Sequence, residues 1–407
     1  MRAVMKVLRV VMLLPLIASS GLAQNNLPLP WKTDTVQSAK LGEQRTIFVS
    51  LPDGYATSTE KYPVLVLLDA NDLAQFNLAV AHAAFLRNRN AVPPLIIVGI
   101  TNARDRTHDL TPTATGSTLQ NFHTAGGANA FADYVIDEVL PMVRSRYRTQ
   151  PATILAGHSF GGLFALDVAA TRPDVFRGVI AMSPSLWWND SASVVTYADA
   201  LARSRVPQRI FVTSGGLEPG IDRPTQRFAH RLDSIKPANV AFAYRHYPDD
   251  THGLTPAPSL VDGLRFVFEP VSLSKLPLNR LGPTSDSATI ISAVRESESI
   301  YRDNARSIGL PDRLPEGTLN QLGYVVLQQL RKPDWAIAVF QRNVALYPES
   351  ANVYDSLGDA YLAKGDTISA RAQFTHAVDT ATRAGVPVAA ETREKLARLE
   401  RRSGGSR

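Results

Sequence analysis

The chain has 407 residues, 44% hydrophobic and 20% charged, a globular balance that excludes wholesale disorder and leaves room for one large domain and a smaller one. Its formal charge of +6 includes Arg2, Lys6 and Arg9 of an N-terminal leader. Without them about +3 remains, too little to argue for a nucleic-acid partner. With no cysteine, disulfides, thiolate zinc sites, a cysteine nucleophile and a cysteine-linked lipid anchor are excluded.

Residues 1–23 read as a secretory signal peptide. The three basic residues precede an apolar run from Val10 to Ile17, and Gly21 and Ala23 suit a peptidase site before Gln24. That run is well short of the ~20 residues a membrane span needs, and Pro15 interrupts it, so no stable span is expected after cleavage. An exported chain without disulfides fits a bacterial periplasmic or secreted protein.

Arg45 to Leu51 alternates as an early antiparallel strand, broken at Pro52-Asp53-Gly54-Tyr55. Val64 to Leu68 and Leu95 to Ile100 are continuous apolar runs, the pattern of strands buried on both faces, and Leu73 to Arg89 between them reads as a helix. The stretch from Thr101 to Gly127 is long for a connector and is expected to form a functional rim. Ala130 to Tyr147 is helical.

The segment around residue 159 organises the rest. Thr153 to Ala156 supplies a strand, Gly157-His158-Ser159-Phe160-Gly161 a sharp turn, and Leu163 to Ala169 a helix that stops at Arg172-Pro173. This is the pattern of a nucleophile elbow, which raises a serine oxygen above a sheet and leaves no room for side chains at the flanking glycines. Gly178 to Met182, Ile210 to Thr213 and Val240 to Tyr244 follow as strands separated by helical sequence, and Leu260 to Phe268 is a closing helix. Strands alternating with helices predict a mostly parallel α/β sheet covered on both faces, with ligands at the carboxyl ends of the strands.

Pro270 to Ser287 reads as a linker, dividing an α/β domain of residues 24–270 from an all-α domain of residues 287–407, with residues 271–286 between. In the second part Leu322-Gly323-Tyr324, Ala336 and Phe340 are echoed by Leu357-Gly358-Asp359-Ala360-Tyr361, Ala370 and Phe374. A helix-turn-helix period near ~34 residues, with small residues where helices cross, resembles a pair of tetratricopeptide units. Such helices are a candidate surface for a protein partner. The basic tail at Arg398, Arg401, Arg402 and Arg407 reads as a solvated helix end.

A serine oxygen becomes nucleophilic when a base takes its proton, and the base needs an acid to orient it. In this architecture the order is serine, acid, histidine. His252, in the loop after the last strand, is preferred over His246 at a strand end and His230 in a helix. Glu218, directly after the Ile210 to Thr213 strand, is preferred over Asp222, Asp249 and Asp250. The Phe160 N–H at the helix start is one expected oxyanion donor. A second is expected after the Val64 to Leu68 strand, with Asn71 the candidate and an Asx turn the structural alternative. His158 is expected to shape the pocket. No metal or cofactor is called for.

Tyr62-Pro63-Val64-Leu65-Val66-Leu67-Leu68-Asp69, Val98-Gly99-Ile100, Arg106-Thr107-His108-Asp109-Leu110-Thr111-Pro112, the elbow, and Ser183-Pro184-Ser185-Leu186-Trp187-Trp188 together resemble the Putative esterase branch of the alpha/beta hydrolases, which includes enterochelin (siderophore) esterases and esterase D. The similarity runs from about Arg45 to Phe268. It implies Ser159 and His252 as nucleophile and base, Arg106 and Asp109 as organisers of the loop beside the site, and Trp187 and Trp188 as walls of an acyl or aryl pocket. Arg106 beside aromatic walls would suit an anionic aryl ligand such as a catecholate. Ala70 departs from the glycine often found there, and the helical C-terminal part lies outside the minimal esterase.

The expected function is exported ester hydrolysis through an acyl-serine, with a siderophore lactone as the implied substrate class. Sugar-linked acyl or feruloyl esters and acyl transfer use the same chemistry. A periplasmic scaffold with an inactive hydrolase domain is the alternative of a different class, and a peptidase is the weakest reading.

Overall fold

The computed structural model describes residues 31–102, 105–282 and 285–404; the expected signal peptide at 1–23 lies outside them. One sheet contains β1 (Lys32–Ser38), β2 (Glu43–Ser50), β3 (Tyr62–Leu67), β4 (Ile96–Ile100), β5 (Thr149–His158), β6 (Gly178–Met182), β7 (Gln208–Gly215) and β8 (Val240–Tyr247). Their order is β1-β2-β4-β3-β5-β6-β7-β8. Pairing is antiparallel between β1 and β2 and between β2 and β4, and parallel from β4 through β8. This is the expected alpha/beta hydrolase sheet. β3, β4 and β6 are buried along their whole length, which is why they read as unbroken apolar runs. β1 escaped the sequence because KTDTVQS is an edge strand with a mostly polar face.

Successive side chains of β3 serve opposite layers. Val64, Val66 and Leu68 join a core with α4 (Ala128–Asp133) and α5 (Leu140–Arg146), which are linked by a π-helical stretch. The same core takes in α6 (Phe160–Thr171), α7 (Trp188–Arg203) and α8 (Pro219–Ile235). Leu65 and Leu67 join the other layer with α1 (Leu73–Arg87) and α9 (Pro256–Phe268). Among its described residues the 101–127 stretch carries two short helices that show no periodicity because each is hardly more than a turn. These are α2 (Arg106–Leu110), capped by the Asp105 carboxylate, and α3 (Gly116–Asn121). Asn189 ties this rim down, accepting from the Thr115 N–H at 2.8 Å and donating to the Thr113 carbonyl at 3.0 Å.

Pro270 to Ser287, expected as a linker, folds as short 3-10 turns among its described residues, with Val271 and Leu276 buried. Beyond it lie α10 (Ser287–Ala305), α11 (Glu316–Tyr324), α12 (Pro333–Leu346), α13 (Ala351–Lys364), α14 (Thr367–Ala384) and α15 (Ala390–Gly404). Ile290, Tyr301, Ile308, Leu319 and Phe340 from this part belong to the same hydrophobic core as Leu65, Phe76 and Leu264. A Cβ on Gly309 would lie 3.4 Å from the Ala152 backbone at the start of the buried part of β5. The helix pairs repeat one contact: Gly323 of α11 faces the ring of Phe340, and Gly358 of α13 faces that of Phe374. No helix among the described residues is long and apolar enough to cross a membrane.

Candidate active site

β4 lies on one side of β3 and β5 on the other, so the crevice of this sheet opens where the chain changes direction, above the carboxyl ends of β3 and β5. Ser159 follows β5 with φ 61° and ψ −118°, a conformation that is strained for any residue with a side chain. The turn is packed without slack. A Cβ on Gly157 would collide with the Gly161 main chain, one on Gly161 would come 3.0 Å from Asp69 Oδ2, and one on Gly162 would come 3.0 Å from Pro184 Cα. The end of β6 holds the elbow: Ser159 N–H donates to the Met182 carbonyl at 3.0 Å and Ser185 N–H to the Ser159 carbonyl at 3.1 Å. α6 begins at Phe160, whose N–H is in the open first turn where no intrahelical acceptor exists.

Glu218 and His252 meet, as their positions after β7 and β8 predict: His252 Nδ1 hydrogen-bonds Glu218 Oε2. Ser183 Oγ and the Gly215 N–H each donate to Glu218 Oε1 at 2.5 Å. Burial alone would raise the Glu218 pKa, but the bonds from His252, Ser183 and Gly215 outweigh it and hold the carboxyl below its ordinary value. The Ser159 hydroxyl rests 3.4 Å from Ser185 Oγ. Among the described residues it makes no hydrogen bond to His252.

His158 is drawn in beside this pair, its ring centroid 4.3 Å from that of His252. Burial first, and then the neighbouring His252, push its pKa down to about 4. Its Nε2 is buried with no partner among the described residues. The ring is thus buried beside the elbow and packed on His252.

Arg106 stands where an organiser of the loop beside the site was expected, with its guanidinium bonded within the protein. Nε and Nη2 donate to the two oxygens of Asp69 at 2.6 and 2.8 Å, and Nη2 also donates to the His158 carbonyl at 3.1 Å. A bidentate pair of this kind neutralises the cation and fixes geometry. Arg106 therefore clamps the end of β3 to the end of β5. Asp109 anchors the rim in the same way, in a buried double bond to Arg45 at 2.7 and 3.1 Å. Asn71 follows the clamped Asp69 and is exposed, and its Oδ1 accepts from the Asn102 N–H at 3.2 Å. Its side chain thus serves the rim, on the side of β4, where the neighbouring Ala70 N–H donates to the Ile100 carbonyl at 2.9 Å.

The aromatic wall is partly as expected. Trp187 is half-buried and packs on Phe122 at 5.6 Å and on Phe160 at 6.0 Å between centroids. Trp188 is a correction: only 1% exposed, it is sealed behind Phe122, Phe160 and Trp187 and supports the wall rather than forming its surface. Of the alternatives, His246 pairs through Nδ1 with Asp222 Oδ1 at 3.2 Å, apart from Glu218, and His230 lies exposed on α8.

Sequence reasoning missed Asp69, Phe122, Ser183, Ser185 and Thr255. The signal available for the two serines was position: Ser-Pro-Ser stands directly after a buried parallel strand next to the elbow strand, where chemistry collects in such sheets. Together the site offers a hydroxyl, an imidazole oriented by a carboxylate, and N–H donors at a helix start, the set needed for acyl transfer.

The sequence pattern of the Putative esterase family matches residues 38–252. Ferri-bacillibactin esterase BesA of Bacillus subtilis is 27% identical over 277 residues, covering 62% of this chain and 94% of that protein. Siderophore triacetylfusarinine C esterase of Aspergillus fumigatus is 34% identical over 181 residues, covering 40% of this chain and 59% of that protein. Among solved structures, an IroE-like serine hydrolase from Shewanella oneidensis superposes with a TM-score of 0.64 at 28% identity, covering 77% of this chain and 99% of that one. An uncharacterised protein from Capnocytophaga ochracea shares the fold across 91% of this chain, with a TM-score of 0.58 at 14% identity. Since the matched pattern takes in more than half of the residues and closes on His252 itself, this chain belongs to the Putative esterase family and is a hydrolase of ester bonds.

Proposed function

We propose that this esterase is an exported serine hydrolase acting through an acyl-Ser159 intermediate on siderophore esters of the catecholate lactone class. The observation that carries the mechanism is the Glu218–His252 bond on the loops facing the strained Ser159 turn. His252 Nε2 takes the Ser159 proton as Oγ turns from Ser185 and attacks the ester carbonyl. The Phe160 N–H, with the Asn71 N–H as the second donor, receives the developing oxyanion. His252 then gives its proton to the leaving alkoxide, and in the second half it activates a water that frees the acid and restores Ser159. Glu218 stays ionised throughout and stabilises the imidazolium.

The substrate class rests on the siderophore esterases among the relatives and on the aromatic wall of Phe122, Phe160 and Trp187. With Arg106 committed to Asp69, a catechol ring is recognised here by its faces and edges rather than by its charge. Export rests on the basic-apolar-small pattern of residues 1–23.

The test is hydrolysis of aryl and short-chain p-nitrophenyl esters and of a catecholate triserine lactone by the purified chain, beside Ser159→Ala and His252→Ala. Each variant is expected to lose orders of magnitude in kcat, because the two groups act as a unit. Equal rates in all three proteins would sink the Ser159 mechanism. A preference for feruloylated sugars over the lactone would replace the siderophore reading while leaving the mechanism standing.

A further inference from the structure

Ser183 has three features that a packing residue does not need together. It is fully buried, it is not glycine yet has φ 43°, and its N–H continues the β6 to β7 pairing with the Thr213 carbonyl at 3.0 Å. That left-handed kink at the end of β6 turns the side chain to the Glu218 carboxylate, with Oγ 2.5 Å from Oε1. Ser183 Oγ also lies 2.7 Å from Thr255 Oγ1, and Thr255, equally buried, donates to the His252 carbonyl at 3.1 Å. With the His252 Nδ1 bond to Glu218 Oε2, the four residues close a ring.

The donors in that ring can be counted. A carboxylate and a carbonyl only accept, so the Ser183 proton goes to Glu218, and the one Thr255 proton is shared between Ser183 Oγ and the His252 carbonyl. The loops carrying Glu218 and His252 are pressed together. A Cβ on Gly215 would reach the Asp250 carbonyl and come within 3.0 Å of Thr255 Cγ2, and one on Gly216 would strike Pro248. Neither hydroxyl is exposed to a ligand, so neither can act on substrate directly.

We infer that Ser183 and Thr255 are positioning residues of the esterase reaction, fixing the Glu218 carboxylate and the His252 loop as one unit through this closed ring. The inference rests on the Ser159 mechanism proposed above. Its physical content is that the bare Glu218 carboxylate, present when His252 is neutral, depends on the Ser183 donor more than does the carboxylate already paired with imidazolium. Removing the donor therefore raises the proton affinity of the Glu218–His252 pair. Charged and titratable groups near the pair include His158, with Asp69 and Arg106 behind it, and Asp250, whose carbonyl accepts from the Leu217 N–H beside Glu218.

The experiment measures kcat, KM and the pH profile of kcat/KM on an aryl ester for Ser183→Ala, Thr255→Val and Thr255→Ser. It also follows the His252 ring by NMR titration, assigned with His252→Gln. Ser183→Ala is expected to lower kcat about tenfold, the worth of part of one hydrogen bond to a charged group. KM should be unchanged, and the acid limb and the His252 midpoint should move to higher pH. Thr255→Val is expected to shift both in the same direction and Thr255→Ser to restore them, which keeps the test open if Ser183→Ala does not fold. An unmoved acid limb and His252 midpoint in folded variants, or equal effects of valine and serine at 255, would overturn the inference. A shifted His252 midpoint in a protein that hydrolyses no ester would support the ring while removing the reaction proposed for it.

Discussion

The imidazole rings of His158 and His252 face each other with centroids 4.3 Å apart and planes tilted by 38°. Of the two, only His252 is hydrogen-bonded to a carboxylate. The His158 pKa is lowered to about 4, by burial first and by His252 second, from an ordinary value near ~6.5. Between those pH values the unfolded chain takes up a proton at this position and the folded chain does not, so stability declines as pH falls. The contribution is fully present above the ordinary value and is lost as pH drops through about 4. His158→Phe is expected to flatten this decline, measured as the thermal midpoint at pH 7, 5.5 and 4. An unchanged slope would show that other groups govern the acid response.

Arg106 separates two ways of being important. If it clamps Asp69 to the His158 carbonyl, Arg106→Lys loses the bidentate geometry and kcat falls by about tenfold or more for neutral and anionic aryl esters alike, with little change in KM. A rise in KM confined to anionic substrates would instead return Arg106 to ligand binding.

The choice of acid is testable by exchanging carboxylates for amides. Glu218→Gln removes the charge that orients and stabilises imidazolium at His252, and the expected loss in kcat is on the order of 10² to 10⁴. Asp222→Asn leaves a residue that can still meet Ser214, Gln226 and His246, its present neighbours, and activity should stay within a few-fold of the parent. The reverse ranking would move the acid to Asp222.

The strain at Ser159 predicts that the site is held at a cost to stability. Glycine reaches φ 61°, ψ −118° without a Cβ penalty, and relief of ~1–3 kcal/mol of strain exceeds the backbone entropy glycine adds to the unfolded chain. Ser159→Gly is therefore expected to be inactive and more stable by about 1 kcal/mol, read from urea unfolding at constant slope. A less stable glycine variant would mean that the Ser185 contact outweighs the strain.

Much of the site was legible because it sits at ends of strands. The continuous runs of β3, β4 and β6 mark buried parallel strands, and in such a sheet the residues just past the strands must converge, which brings Ser159, Glu218 and His252 to one place from residue order alone. What escaped were effects that depend on two distant backbones meeting. Arg106 was expected to organise the loop beside the site, but residue order could not name its partner Asp69, 37 positions away. Trp187 and Trp188 were both pocket walls by the resemblance, since two adjacent tryptophans do not tell by themselves which one the kink at Asn189 to Ser191 leaves buried. The 270–287 stretch read as a linker because its prolines and serines signal breaks, while the burial of Val271 and Leu276 in a core shared by α1, α9 and α10 depends on segments far apart in sequence.

That last dependence bears on where the chain can be cut. The layer containing Leu65, Phe76 and Leu264 also takes in Ile290, Tyr301, Ile308, Leu319 and Phe340, so a chain truncated after α9 keeps Ser159, Glu218 and His252 but leaves that apolar floor uncovered. Such exposed apolar surface is a target for association with other copies, and the truncated chain is expected to aggregate where the full chain stays dispersed.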